Sequence, residues 1–163
     1  GVTIEQDGDF PKSSTTTFTV KTTQKQHFAL NLLIPSWAEK ASISINGKKT
    51  SVKVTGKARY HTISRKWKDS DKVQLHLQGG FKIHHLQGDC QTIAISYGPM
   101  LLAFIENDKI ELQLTEHQLL NNLQATDASK GIFTLNHNGK QYTLRPLFDV
   151  DDETYSVYVQ LKP

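Results

Sequence analysis

The stretch "LLIPSWAEKASISINGKK", residues 32 to 49, decides how the rest of the chain is read. Leu32 and Ile34 belong to an alternating run that begins at Phe28, and Pro35 ends it, because proline offers no N–H to a sheet ladder. A second alternating run, Ile43 and Ile45 against Ser42 and Ser44, leads into Asn46-Gly47. That dipeptide tolerates the positive φ of a tight hairpin turn, and Val52 and Val54 continue beyond it. A strand, a stop, and a hairpin therefore follow one another within a few residues.

Working outward, the same period of two recurs. Val73, Leu75 and Leu77 alternate with Gln74 and His76, and Ile93, Ile95 and Tyr97 with Ala94 and Ser96. Successive strand side chains point to opposite faces, so each run gives one apolar face to a core and one polar face to water. Asp69-Ser70-Asp71, Gly79-Gly80 and Asn138-Gly139 supply further turn chemistry. The pattern predicts an all-β, antiparallel, jelly-roll-like sandwich. One helix is expected from about Glu116 to Leu123, with Thr115 as N-cap and Gln118 completing a capping box. Its leucines, Leu119, Leu120 and Leu123, cluster on one side. Residues 106–130 are otherwise polar and strand-poor. They are expected to join a sandwich domain of residues 1–105 to a smaller unit within 106–163. That unit holds a hairpin over Asn138-Gly139 and a last strand, Tyr155 to Leu161.

Composition narrows the function. The chain has 163 residues, enough for one large or two small domains. Its 19 basic and 16 acidic residues give a net charge of +3 and are read as mixed along the chain, with only short pairs such as Lys48-Lys49. A nucleic-acid partner would need a gathered basic face, so none is expected. No apolar run reaches the roughly 20 residues of a membrane span, so no membrane partner is expected. Cys90 is the only cysteine, which excludes an intramolecular disulfide and leaves the compartment open, a lone buried thiol being tolerated in cytosol or periplasm. Gly1 reads as the residue left by tag cleavage, so the chain is expected to be a fragment of a longer protein.

Motifs for chemistry are sparse. His84 and His85 are adjacent, which on a strand sends them to opposite faces, and neither HExxH nor CxxC occurs. Surface histidines and no metal or other cofactor are the expectation. The acidic run "DVDDE", Asp149 to Glu153, lacks the spacing of a calcium loop and reads as a solvated turn. Glu106, Glu111 and Glu116 are scattered, no GxSxG is present, and no catalytic residue is assigned. The aromatic residues remain. Trp37, Trp67 and Tyr60 are the candidate carbohydrate-binding residues, since flat rings stack on the C–H face of sugars. The same rings suit plugs at the ends of a sandwich, and that reading is preferred because large aromatics carry much of any small core.

Several of these stretches together resemble a known family. They are "LNLLIPSWAEKASISINGK", "YHTISRKWKDSDKVQLHL" and "QTIAISYGPMLLAF", preceded by "DFPKSSTTTFTV" and followed by "LRPLFDVDDETYSVYVQL". They are similar to the β-sandwich region behind the catalytic barrel of glycoside hydrolase family 127, the beta-L-arabinofuranosidase family. The matching positions are Ile34, Pro35, Trp37, Asn46, Gly47, Arg65, Trp67, Asp71, Ala94, Ile95, Gly98 and Pro99, with Pro146, Tyr155 and Tyr158 toward the end. One departure is local: Asp69-Ser70 stands where the family usually has a glycine in the turn before Asp71.

In that family a helical barrel, with a zinc-bound cysteine cluster and glutamates, carries the chemistry. The resemblance thus implies that no catalytic residue carries over and that Trp37 seals the end of a sandwich. It implies a non-catalytic accessory region, bracing a missing barrel of the same polypeptide, in a glycosidase of arabinose-containing plant glycans. Such a parent is expected in the periplasm or outside the cell, a point the residues themselves leave open. The competing reading is an autonomous carbohydrate-binding module, and an independent hydrolase ranks last.

Overall fold

The computed structural model describes residues 1–162. The chain forms two compact units, Gly1–Gly79 and Gly80–Pro163. The division therefore falls at the Gly79-Gly80 step and not at residue 105, and strand pairing supplies the reason, as set out below.

In the first unit the strands are β1 (Val2–Asp7), β2 (Thr15–Thr22), β3 (Gln26–Ile34), β4 (Lys40–Ile45), β5 (Lys48–Val52), β6 (Arg59–Trp67) and β7 (Lys72–Gln78). Five of them form an antiparallel sheet in the order β1-β2-β7-β4-β5, and β3 with β6 forms a second, two-stranded layer. The Asn46-Gly47 step is a tight turn with both residues at positive φ, 49° and 87°, and it brings Ile45 opposite Lys48. Alternation does the rest. Val20, Ala41, Ile43, Val52, Val73 and Leu75 from the wide sheet meet Leu32, Ile34 and Trp67 from the narrow one in a buried core.

The second unit holds β8 (Phe81–Leu86), β9 (Asp89–Tyr97), β10 (Met100–Ile105), β11 (Glu111–Leu112), α1 (Glu116–Asn122), β12 (Leu123–Asp127), β13 (Ile132–His137), β14 (Lys140–Pro146), β15 (Tyr155–Ser156) and β16 (Val159–Leu161). They make one nine-stranded sheet, antiparallel apart from the β11–β16 pair. β9 pairs with β8, β10 and β16, and β10 with β14 and β15. These are the bonds that carry residues 81–105 into the second unit. The expected last strand is broken in two, and the hydroxyl of Ser156 donates to the Tyr158 carbonyl at 2.8 Å in the bend between the halves.

The helix has the expected cap: Thr115 Oγ1 accepts from the Gln118 amide at 3.3 Å, and Gln118 Oε1 accepts from the Thr115 amide at 2.9 Å. Leu119 and Leu123 enter the core formed by Ile93, Ile95, Leu102, Phe104, Phe133 and Leu144, while Leu120 stays exposed. α1 touches β8, β12 and β13, and His85 of β8 lies 3.2 Å from Glu116 of the helix. No helix among the described residues is long and apolar enough to cross a membrane.

Candidate functional site

Trp67 closes β6 and is completely buried. Its ring stacks on Phe28, with centroids 5.6 Å apart and planes at 26°. Its indole N–H donates to the Phe28 carbonyl at 3.0 Å, and the Arg65 guanidinium sits 5.1 Å from the ring centroid. A ring with no exposed surface offers nothing to a sugar. Trp67 is therefore corrected from a candidate sugar contact to a core residue, with its one polar atom satisfied as a buried indole requires.

Around it lies a polar latch. Asp71 is 1% exposed and accepts from Asn46 Nδ2 at 2.8 Å and from the Lys68 amide at 3.1 Å. Asn46 Oδ1 in turn accepts from the Lys72 amide at 2.8 Å, and Arg65 stands 3.9 Å from the Asp71 carboxylate. Burial pushes the Asp71 carboxyl up, but the bonds from Asn46 and Lys68 and the charge of Arg65 outweigh it. The net effect holds the acid below its ordinary range. Ser70 adopts φ 63°, the left-handed conformation that a glycine would supply, which answers the departure noted in the sequence. Arg65, Trp67, Asp71 and Asn46 thus form a structural lock between two turns.

Trp37 and Tyr60 are placed differently. The turn after β3 is closed by a bond from the Ala38 amide to the Pro35 carbonyl at 3.3 Å, with Ala38 buried. Trp37 beside it is half-buried, its ring 6.3 Å from that of Phe10. Phe10 is 54% exposed and was missed by sequence reasoning, although "DFPKS" holds it; nothing in the local pattern says that residues 10 and 37 meet. Tyr60 is 68% exposed and stands directly across the β3–β6 ladder from Leu33, itself 47% exposed. The structure pairs Trp37 with Phe10 and Tyr60 with Leu33, both at the end of the sandwich where β3 finishes and β6 begins.

The remaining candidates resolve into ordinary contacts. His84 Nε2 lies 2.8 Å from Ser96 Oγ, while His85 Nδ1 donates to the Cys90 carbonyl at 2.8 Å, so the two rings serve separate partners. Glu153 pairs with Arg145, and its Oε2 accepts from the Asp151 amide at 3.1 Å, so the "DVDDE" run folds on itself. Glu106 holds Lys140, and Glu111 holds Lys109 and Lys162. Cys90, the second residue of β9, is exposed in the irregular stretch of the ladder beside the β8–β9 turn. Among the described residues no three His, Cys, Asp or Glu side chains gather as a metal site.

What the fold and these contacts define is an all-β sandwich region whose most distinctive residues hold turns together. Residues 1–79 match the family model described as "Beta-L-arabinofuranosidase, GH127 middle domain". That match spans the first unit, just under half of the chain, and makes residues 1–79 similar to the middle domain of those enzymes. No curated protein matches the chain in sequence.

Among solved structures, a glycoside hydrolase superposes with a TM-score of 0.70 at 16% identity, over 99% of this chain and 32% of its own. A GH127 beta-L-arabinofuranosidase from Geobacillus stearothermophilus T6 gives 0.64 at 18% identity, over 99% of this chain and 31% of its own. A further GH127 beta-arabinofuranosidase gives 0.65 at 18% identity, over 98% of this chain and 32% of its own. These likenesses establish a shared fold. The chain spans about a third of the length of each of these structures.

Proposed function

We propose that the chain is a non-catalytic accessory β region of a glycoside hydrolase acting on plant-type, arabinose-containing glycans, and that it braces that enzyme's catalytic helical barrel. The observation that carries the reading is the outward pair Leu33–Tyr60. On a face where alternation places Ala29, Asn31, Thr62 and Ser64, two large apolar side chains stand opposite each other in water. Contiguous apolar surface of this kind marks a contact surface. An interdomain contact of about 600–1,500 Å² would cover it. The test is a polypeptide joining this chain to a GH127 barrel. Leu33→Ser with Tyr60→Ser lowers the thermal midpoint of the joined protein and leaves that of the chain alone unchanged. Equal effects in both would refute the bracing role.

A carbohydrate-binding role is the second reading, favoured by the exposed flank of the Phe10–Trp37 pair. It requires that arabino-oligosaccharides quench tryptophan fluorescence in the wild type and not in Trp37→Ala.

A further inference from the structure

We propose that the free edge of β6, with the cleft beside it, is a strand-addition site for an acidic, extended peptide of a partner protein. β6 pairs only with β3, and β5, at the margin of the wide sheet, pairs only with β4. Two strands thus face a sheet of five, and β4 and β5 of one layer share a cleft with β6 of the other. There a cleft of about 290 Å³ is lined by Ile43, Ile45 and Thr50 on one side and by the run 61–64 of β6 on the other.

Neighbouring residues of a strand point to opposite faces, so four in a row reach one cleft only along the backbone edge. That edge carries the N–H and C=O groups for which β6 has no sheet partner. An added strand would bond to them, while its apolar side chains settle on Ile43, Ile45 and Ile63. No Trp, Tyr or Phe lines the cleft, which removes the usual means of holding a sugar.

Charge selects the occupant. Residues 40–68 carry nine Lys and Arg and no Asp or Glu, a concentration hidden by the chain's near-even totals. This segment is the β4–β5–β6 margin itself. Lys48 and Thr50 face the cleft side, since they stand opposite Ile45 and Ile43. Lys49, Lys53 and Lys57 are exposed beside them, and Arg59 bonds to the Lys53 carbonyl. Edge lysines ordinarily guard a strand against stray pairing. Here the guard repels a second copy, whose margin is equally basic, and an acidic strand turns that repulsion into attraction.

The test is titration of the full chain with a short peptide of alternating Val and Glu, followed by backbone amide shifts. Amides within 43–50 and 59–66 are expected to move. Methylating alternate peptide nitrogens is expected to abolish the effect, and a Val–Lys peptide to produce none. K48E/K49E, at exposed positions, is expected to keep the wild-type thermal midpoint and to bind at least about tenfold more weakly. The proposal is overturned by absence of binding or by indifference to N-methylation. It is equally overturned if oligogalacturonate or a short single-stranded DNA moves the same amides as strongly, which would make the margin an undirected polyanion patch.

Discussion

The side-chain amide of Asn46 donates to the Asp71 carboxylate at 2.8 Å and so joins two turns whose residues lie 25 apart in sequence. Asn46 holds the β4–β5 hairpin in its left-handed turn, and Asp71 anchors the corner between β6 and β7. Asp71→Ala would strand Asn46 Nδ2 and the Lys68 amide, at a cost of about 2–4 kcal/mol. Asn46→Ala would free the Lys72 amide and strain the turn, costing about 1–3 kcal/mol. Because the residues share one bond, urea denaturation of the double variant should show less than the summed loss. Strict additivity would show that the two turns are held independently.

The two tryptophans should separate in the same assay. Trp67→Ala removes a fully buried ring and should cost roughly 3–5 kcal/mol. Trp37 is only half-buried, and its replacement by alanine should cost less than half as much. Equal costs would contradict the different placements of the two rings.

Much of this was legible in local sequence, because it depends on local chemistry. Asn46-Gly47 and Asn138-Gly139 make their turns with positive φ, and Thr115 with Gln118 makes the capping box. The alternation of β3 and β7 names the core side chains correctly. Pairing between distant segments was not legible. Ile95 looks like one more sandwich strand until Leu102 and Ile83 are found beside it, which moves residues 81–105 into the second unit. Trp37 and Trp67 have similar polar neighbours in sequence, and only tertiary packing on Phe28 or Phe10 distinguishes them. The acid-free run 40–68 was visible but masked by whole-chain totals.

Backbone strain gives a paired prediction. Ser70 at φ 63° bears a left-handed cost that glycine lacks, so Ser70→Gly should raise stability by about 0.5 kcal/mol after the added freedom of the unfolded chain. Gly131 at φ 66° is the reverse case, since an added Cβ would lie 2.9 Å from Pro146 Cδ. Gly131→Ala should lower stability by about 1–3 kcal/mol. Thermal unfolding checks both, and a destabilised Ser70→Gly would contradict the turn geometry.

Acid should weaken the fold. The carboxyl of Asp71 is held down by its bonds from Asn46 and Lys68 against the effect of burial. Asp69 is held down by the Thr22 amide, Asp89 by Thr92, and Asp127 by Ser129. A folded-state pKa below the unfolded value means that the unfolded chain binds more protons, so stability rises with pH there. The contribution is complete above the unfolded carboxylate range of about 4 and is lost as pH falls through the folded values. Denaturation midpoints should hold level from neutral pH to about 5 and then fall, and Asp71→Asn should flatten that fall. An undiminished acid limb in Asp71→Asn would assign the effect to the exposed acids.

The central claim, that this chain supports catalysis without performing it, is tested most directly by hydrolysis of an aryl arabinofuranoside by the purified protein. Several of its acids hold a lysine, an arginine or backbone amides, as Glu106, Glu153 and Asp71 illustrate. The account predicts no turnover above the uncatalysed rate. Turnover that disappears when a single Asp or Glu of the chain is replaced would contradict it.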